Sequence, residues 1–166
     1  AEDVCVFGGS SGKHDNGIFR GNISCWDRIV GRWHYPFPNF PVGFDHGSII
    51  HIPPSTCSEG VKLAGKIIIT DFRTEPYGEG STKYWALDLE TESSGKVKAL
   101  GNWYILGQRS PDPCGFAGVN AGGFALSGDG RFLYTFGGRT EVHCAEKVSG
   151  CSERVRPVIS NEVSAF

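Results

Sequence analysis

Val4-Cys5-Val6-Phe7-Gly8-Gly9 is an apolar stretch that ends in two glycines, and it has two counterparts, Ile67-Ile68-Ile69-Thr70-Asp71-Phe72 and Leu133-Tyr134-Thr135-Phe136-Gly137-Gly138. The stretches recur at a spacing of roughly 65 residues, which is typical of one structural unit that is used several times. Each has the length and the β-branched or aromatic content of a strand. The repeat therefore predicts a fold built from similar sheets.

The composition supports an all-β chain. Of its 166 residues 39% are apolar and 12% aromatic, which is enough for a sizeable core. The 24 glycines and 9 prolines interrupt every stretch that could form an ordinary helix, because glycine costs backbone entropy and proline removes a hydrogen-bond donor. We predict a single secreted β domain over residues 1–166, with repeat-like units at about 4–42, 43–110 and 111–166.

The strand candidates are short apolar or alternating stretches bounded by Gly, Pro, Asn, Asp or Ser. They lie near residues 4–8, 22–29, 31–35, 46–52, 65–71, 83–89, 100–106, 121–127, 131–136 and 139–145. Asp129-Gly130 separates two of them, and this pair tolerates the positive φ angles of a tight turn. It predicts a hairpin between the strands at 121–127 and 131–136.

The charge distribution argues against polyanionic partners. The chain carries 16 basic and 18 acidic side chains, a net charge of −2, without blocks of one sign. Such a chain has no electrostatic footprint for nucleic acid or an anionic membrane. Its apolar stretches are also far shorter than the roughly 18 residues of a membrane-spanning helix. We expect no nucleic-acid partner and no membrane insertion.

The cysteines and one sequon predict an extracellular glycoprotein. Six cysteines without a Cys-x-x-Cys pair or zinc-finger spacing favour disulfides over a metal site. They are Cys5, Cys25, Cys57, Cys114, Cys144 and Cys151. Asn22-Ile23-Ser24 is an N-glycosylation sequon. The chain begins at Ala1 without an apolar leader, which we interpret as a mature form that has lost its signal peptide.

The order of three further motifs resembles a kelch repeat. Phe7-Gly8-Gly9 is followed by Cys25-Trp26-Asp27, and Trp33 comes six residues after the aspartate. A partial second copy runs from Ile67 to Trp103, and a third begins at Gly122. The resemblance covers most of residues 4–138, about two and a half units. It implies antiparallel four-stranded, blade-like sheets of a β-propeller.

A propeller needs more blades than this chain holds. A blade buries its faces against its neighbours, so the two end faces of a short stack cannot both stay in water. The ring could be completed by other chains or by copies of this one, as a homo- or hetero-oligomer. Alternatively, the strands could pack as a compact, disulfide-linked β-sandwich or barrel.

The repeat pattern implies that Cys5 and Cys25 lie on neighbouring strands. Cys144 and Cys151 are seven positions apart and can close a small loop. Cys57 and Cys114 then remain as the third pair. Six cysteines permit about fifteen pairings, so other connectivities stay open.

The segment from Trp33 to Phe44 is the strongest candidate for recognition. It holds three prolines, which stiffen the backbone, and five aromatic residues. The predicted binding residues are His34, Tyr35, Phe37 and Phe40. In the alternative interpretation Trp33 closes its blade, the three phenylalanines enter the core, and His34 and Tyr35 alone face solvent.

Catalytic chemistry has less support. His46 beside Asp45 could be a base oriented by a carboxylate, but the sequence has no recognisable nucleophile motif. A glycosidase would need two carboxylates, for example Asp45 with Asp71 or Glu75. His46 and His51 point to opposite faces of a strand and cannot share a metal ion. We predict no catalytic residue, no metal site and no cofactor.

The sequence thus predicts a secreted, non-catalytic binding protein that presents loops to a protein or glycan, such as a virulence effector or a subunit of a larger propeller. The alternative is a secreted carbohydrate-active enzyme that uses loop carboxylates. A third hypothesis is a structural unit that completes a ring with a partner chain.

Overall fold

The regular structure of the described residues is built from β-strands. The computed structural model describes residues 3–11, 18–54, 63–74, 81–108, 122–128, 131–137, 139–142, 156–159 and 163–165. Within these ranges the elements are strands, and every strand pair is antiparallel. The prediction of an all-β antiparallel fold is confirmed.

The strands are β1 (Val4–Phe7), β2 (Ser10–Ser11), β3 (Ile18–Phe19), β4 (Ile23–Asp27), β5 (Arg32–His34), β6 (Ser48–Ile52), β7 (Lys66–Thr70), β8 (Lys83–Thr91), β9 (Val97–Ala99), β10 (Tyr104–Gln108), β11 (Gly123–Leu126), β12 (Leu133–Phe136), β13 (Arg139–Val142), β14 (Arg156–Ile159) and β15 (Val163–Ala165). Two small pairs, β2 with β3 and β13 with β14, accompany three larger sheets.

The first sheet has the strand order β1-β4-β5. Cys5 lies directly opposite Cys25, and the two form a disulfide, as the repeat pattern implied. Side chains alternate between the two faces of a strand. Ile23 and Cys25 are fully buried on one face, while Val4 and Trp26 are exposed on the other.

The middle sheet is a meander with the order β10-β8-β7-β6, and β9 pairs with the far end of β8. Its central strand carries Ile67, Ile68 and Ile69, all of them buried. Such a continuous apolar run is typical of a strand that is covered on both faces. Ile67 and Ile69 belong to one hydrophobic cluster, and Ile68 belongs to another.

The third sheet has the order β11-β12-β15. Leu126 lies opposite Leu133, so β11 and β12 form the predicted hairpin. The Asp129-Gly130 pair that predicted its turn lies outside the described residues. Leu133 and Thr135 are buried on the face that is turned toward the middle sheet.

The three sheets are stacked, with the middle sheet covered on both sides. One cluster joins Ile23 of the first sheet to Ile69 and Leu87 of the middle sheet. The other joins Ile68 to Leu133 of the third sheet, and the Tyr84 hydroxyl lies 3.4 Å from Oγ1 of Thr135. The described sheets are open at their edges and none closes into a barrel. The kelch resemblance stays a prediction.

Phe44 fills the space between the first and middle sheets and explains the Phe-Gly-Gly motif. Its ring packs against Phe40 at 4.8 Å and Phe72 at 5.4 Å between centroids. Gly8 has a φ of +62°, and a Cβ there would come within 2.8 Å of the Phe44 ring. The amide of Gly9 donates to the Phe44 carbonyl at 2.7 Å. The two glycines therefore let β1 end directly against this ring.

Two predicted strands are shorter than expected, for local reasons. The strand expected at 22–29 ends at Asp27, because that carboxylate accepts hydrogen bonds from the amides of Ile29 and Val30 and starts a turn. The strand expected at 100–106 begins at Tyr104. Before it, Gly101 adopts a φ of +90° and the indole of Trp103 donates to the Pro38 carbonyl at 3.0 Å.

We expect Ile68→Ala to lower the free energy of unfolding by about 2–5 kcal/mol, because it leaves a cavity between the middle and third sheets. Ile49→Ala, on the partly exposed edge strand β6, should cost less than about 1 kcal/mol. Urea denaturation of the two variants measures the difference. Equal losses would show that the middle sheet is not covered on its Ile68 side.

Candidate functional site

The outer face of the first sheet consists of Val4, Val6, Ser24, Trp26 and Trp33. Val4 lies opposite Trp26, and Trp26 lies opposite Trp33, so these three form a continuous row across the strands. Val4 is 56% exposed and Trp33 52%. An exposed apolar row of this kind on one face of a sheet is typical of an interaction surface.

The two tryptophans of this face are held against each other. Their rings meet at 64° with centroids 5.5 Å apart, in an edge-to-face arrangement. The turn that follows Asp27 fixes the hairpin that carries them. Backbone amides of Val30 and Ile29 bond the Asp27 carboxylate, and these bonds, chiefly the one from Val30, hold the pKa of Asp27 below its usual value. The ionised carboxylate thus helps to fix β4 against β5.

The predicted binding residues occupy different environments. Tyr35 is 69% exposed, and it follows β5 at the rim of the same sheet. His34 is half-buried, with Nε2 2.9 Å from the Asp3 carboxylate. Phe37 is half-buried against the core. Phe40 is only 3% exposed and is packed among Phe44, Phe72, Trp85 and Trp103, so it is not available for a direct contact.

These positions agree with the alternative interpretation for Phe40 and Phe44, but not for Trp33. The resemblance implied that Trp33 closes a blade, whereas its ring is exposed beside Trp26. The row Val4-Trp26-Trp33 was not predicted, because its members lie on three different strands. The alternation of side chains along β1 and β4 could have predicted this row, because it places Val4 and Trp26 on the face opposite to Cys5 and Cys25.

A second apolar surface lies at the opposite end of the stack. On the outer face of the third sheet, β11 and the segment from Phe132 through β12 carry Ala125, Phe132, Tyr134 and Phe136. Its three aromatic side chains are between 40% and 46% exposed. Gly123 lies opposite Phe136, and a Cβ there would come within 2.7 Å of the Phe136 ring. The glycine lets this ring lie flat over the neighbouring strand.

One charged cluster is centred on Asp45, a candidate catalytic carboxylate, and includes His46 and Arg73. Arg73 donates from Nε to Asp45 at 2.7 Å, and Nδ1 of His46 lies 3.0 Å from the same oxygen. Asp45 and Arg73 are both buried and also exchange two backbone hydrogen bonds. Burial raises the pKa of Asp45, but the hydrogen bonds from Arg73 and His46 outweigh it, so the pKa is lowered.

The lowered pKa bears on the enzyme alternative. A general acid must hold a proton near neutral pH, whereas Asp45 is kept ionised by its partners. Asp71, its proposed companion, is 1% exposed, and Glu75 lies outside the described residues. The cluster is better explained as a structural contact that holds the segment after Phe44 against the segment that follows β7.

A second charged cluster lies in the middle sheet. Lys66 lies opposite Asp88 and bonds its carboxylate, and the Tyr104 hydroxyl is 3.0 Å from Lys66 and 3.1 Å from Asp88. Burial disfavours the charged amine, but the bonds to Asp88 and Tyr104 outweigh it and raise the pKa of Lys66. All three groups are satisfied by one another, which indicates a structural role.

The described residues also bear on metal binding and on covalent modification. The described part of the chain holds no group of three or more His, Cys, Asp or Glu side chains that could bind a metal ion. It also holds no helix long and apolar enough to cross a membrane. The Asn22 side chain is exposed at the start of β4, where a glycan could be attached. Cys57, Cys114, Cys144 and Cys151 lie outside the described residues.

Comparison of the chain with protein-family models finds no match, and comparison with curated proteins finds none either.

We expect Arg73→Met to destabilise the fold by about 3–5 kcal/mol, because it leaves the buried Asp45 carboxylate without its main partner. The double variant Asp45→Asn/Arg73→Met removes the charge as well and should regain most of that loss. Thermal or urea unfolding measures both. A double variant as unstable as the single one would show that the pair is not the cause.

Acid should weaken the wild type through Asp45. Its folded pKa lies below the ordinary value of 3.8, so its contribution is complete above that pH and is lost as the pH falls through the folded pKa. Unfolding of Asp45→Asn should depend less on pH between about 5 and 2. An unchanged pH profile would contradict this assignment.

Proposed function

We propose that this chain is a secreted, non-catalytic binding protein that docks onto another protein through the outer face of the first sheet. The observation that carries the proposal is the exposed row Val4-Trp26-Trp33. Exposed contiguous apolar surface is costly in water unless a partner covers it, and tryptophan is enriched among the residues that dominate binding energy.

The chemistry of the face favours a protein over a glycan. Val4 and Val6 are aliphatic, and the adjoining turn adds exposed Ile29 and Val30. A sugar ring needs a flat aromatic plate with hydrogen-bonding groups around it, whereas Trp26 and Trp33 meet edge to face. An apolar sheet face is instead suited to packing against another sheet.

Two features support an extracellular location. The Cys5–Cys25 disulfide is a bond that persists in oxidising compartments. Asn22, in its sequon, has an exposed side chain that a glycosylating enzyme could reach. Both can be tested by peptide mapping of protein from its native source.

The state of Asp45 argues against the pair of carboxylates that the enzyme alternative would use. Asp45 is buried, ionised and committed to Arg73 and His46, so it has no capacity left for acid catalysis. The binding proposal instead uses side chains that the fold leaves in contact with solvent.

We expect Trp33→Lys to weaken binding to the partner by roughly 30-fold or more, because it replaces the exposed ring at the β5 end of the apolar row with a charge beside Trp26. The partner would be captured from the extracellular fluid of the source, purified, and titrated against wild type and variant by calorimetry. Ile105→Lys is the matched control, since Ile105 is 48% exposed on a strand of the middle sheet.

Equal binding by Trp33→Lys and Ile105→Lys would contradict the proposed surface. A panel of soluble oligosaccharides gives the second arm of the experiment. Quenching of wild-type tryptophan fluorescence by one of them, lost in Trp33→Lys, would show that the face binds a glycan rather than a protein.

A further inference from the structure

The N-glycosylation sequon lies on the same face of the first sheet as the exposed tryptophans. Asn22 immediately precedes β4, and its carbonyl accepts a hydrogen bond from the amide of Gly8 at 3.0 Å, so the ladder between β1 and β4 extends to this residue. Side chains alternate between the two faces of such a strand. Ile23 and Cys25 are fully buried, which places Asn22 on the outer face together with Trp26.

The surroundings of Asn22 leave room for a large substituent. The Asn22 side chain is exposed, and Ser24, which completes the sequon, lies on the same face. Gly8 across the strand pair and Gly21 before the sequon have no side chains that would crowd it. A glycan added at this asparagine would therefore project from the outer face without displacing a side chain at either glycine.

The distance along β4 decides how such a glycan relates to the tryptophan pair. Trp26 is the fourth residue after Asn22, which corresponds to about 13 Å in an extended strand. An N-linked glycan is bulky and strongly hydrated, so it would close the Asn22 end of the face to a protein partner. The other end of the face leads into the turn between β4 and β5, where Ile29 is 79% and Val30 58% exposed. The outer face thus has a glycan end and an apolar end.

We propose that Asn22 carries a glycan that confines docking to the apolar end of the outer face. This inference rests on the proposed function, which places the chain in the secretory pathway, and it adds the regulation of the same surface. In the modification, Nδ2 of Asn22 loses a proton and bonds the anomeric carbon of an oligosaccharide that is carried on a lipid diphosphate. The diphosphate leaves with the electron pair of its bond to the sugar and takes up the proton. Removal of the glycan extends the accessible surface toward Ser24 and the exposed Val6 opposite it.

The first measurement is the occupancy of the site. The chain is secreted from eukaryotic cells, and mass spectrometry of its peptides should show a glycan on Asn22. The matched control is Asn22→Gln/Glu92→Asn. It moves the sequon to the turn between β8 and β9, since Ser94 then stands two residues after the new acceptor, and the Glu92 side chain is 41% exposed. An occupied sequon in the control beside an unmodified Asn22 in the wild type would overturn the inference.

The second measurement is retention on phenyl-agarose beads in a falling gradient of ammonium sulfate, which probes the apolar surface without a natural partner. Asn22→Gln should elute at lower salt than the glycosylated wild type, because the Asn22 end of the face is open to the beads. Enzymatic trimming of the wild-type glycan to its first sugar should shift elution in the same direction. Asn22→Gln/Glu92→Asn should also elute at lower salt than the wild type, although both are glycosylated, because its glycan lies on a different sheet.

Two results separate this inference from the proposed function. If the wild type and Asn22→Gln/Glu92→Asn elute together, the glycan does not limit access to the outer face and the inference is wrong. Elution of Asn22→Gln/Trp33→Lys at higher salt than Asn22→Gln would then still support the docking surface. If Trp33→Lys changes nothing in the Asn22→Gln background, the tryptophan row is not the surface that the beads contact, and both proposals are wrong. Circular dichroism and thermal unfolding confirm that each variant is folded.

Discussion

Burial of the middle sheet on both of its faces is the constraint on which the rest of the structure depends. Ile67 and Ile69 point to the first sheet and Ile68 points to the third, so this strand can be stable only with a sheet on each side. The order of the sheets in the stack follows their order along the chain. The aromatic residues of the loop before β6, above all Phe40 and Phe44, complete one of the two interfaces.

The same constraint explains why the candidate surfaces lie where they do. The first and third sheets each use one apolar face to cover the middle sheet, and their other faces, with Trp33 and Tyr134, remain exposed. The two ionic pairs do not form part of these candidate surfaces. Asp45 with Arg73, and Lys66 with Asp88, are engaged within the stack and fix segments to one another.

Much of the fold could be predicted from the sequence, because apolar stretches and turn residues are local signals. The strands around Cys5, Cys25 and Ile68 and the β11–β12 hairpin follow from them. The Cys5–Cys25 pairing was implied by the repeat pattern instead. β2, β3, β9, β14 and β15 were missed, since strands of two to four residues are too short to show a pattern of their own and depend on their partners. The exposed row was missed because burial of Trp33 depends on the number of sheets in the stack, which no local pattern specifies.

The disulfide between Cys5 and Cys25 has a mechanical consequence. It joins directly opposite positions of β1 and β4 on the buried side of the first sheet, immediately beside the pair Val4 and Trp26. A pulling force applied at the N-terminus would pass through the sulfur atoms into β4 and could not peel the first strand away by breaking its hydrogen bonds in turn. The disulfide thus fixes the register of the edge strand β1 and prevents it from sliding along β4.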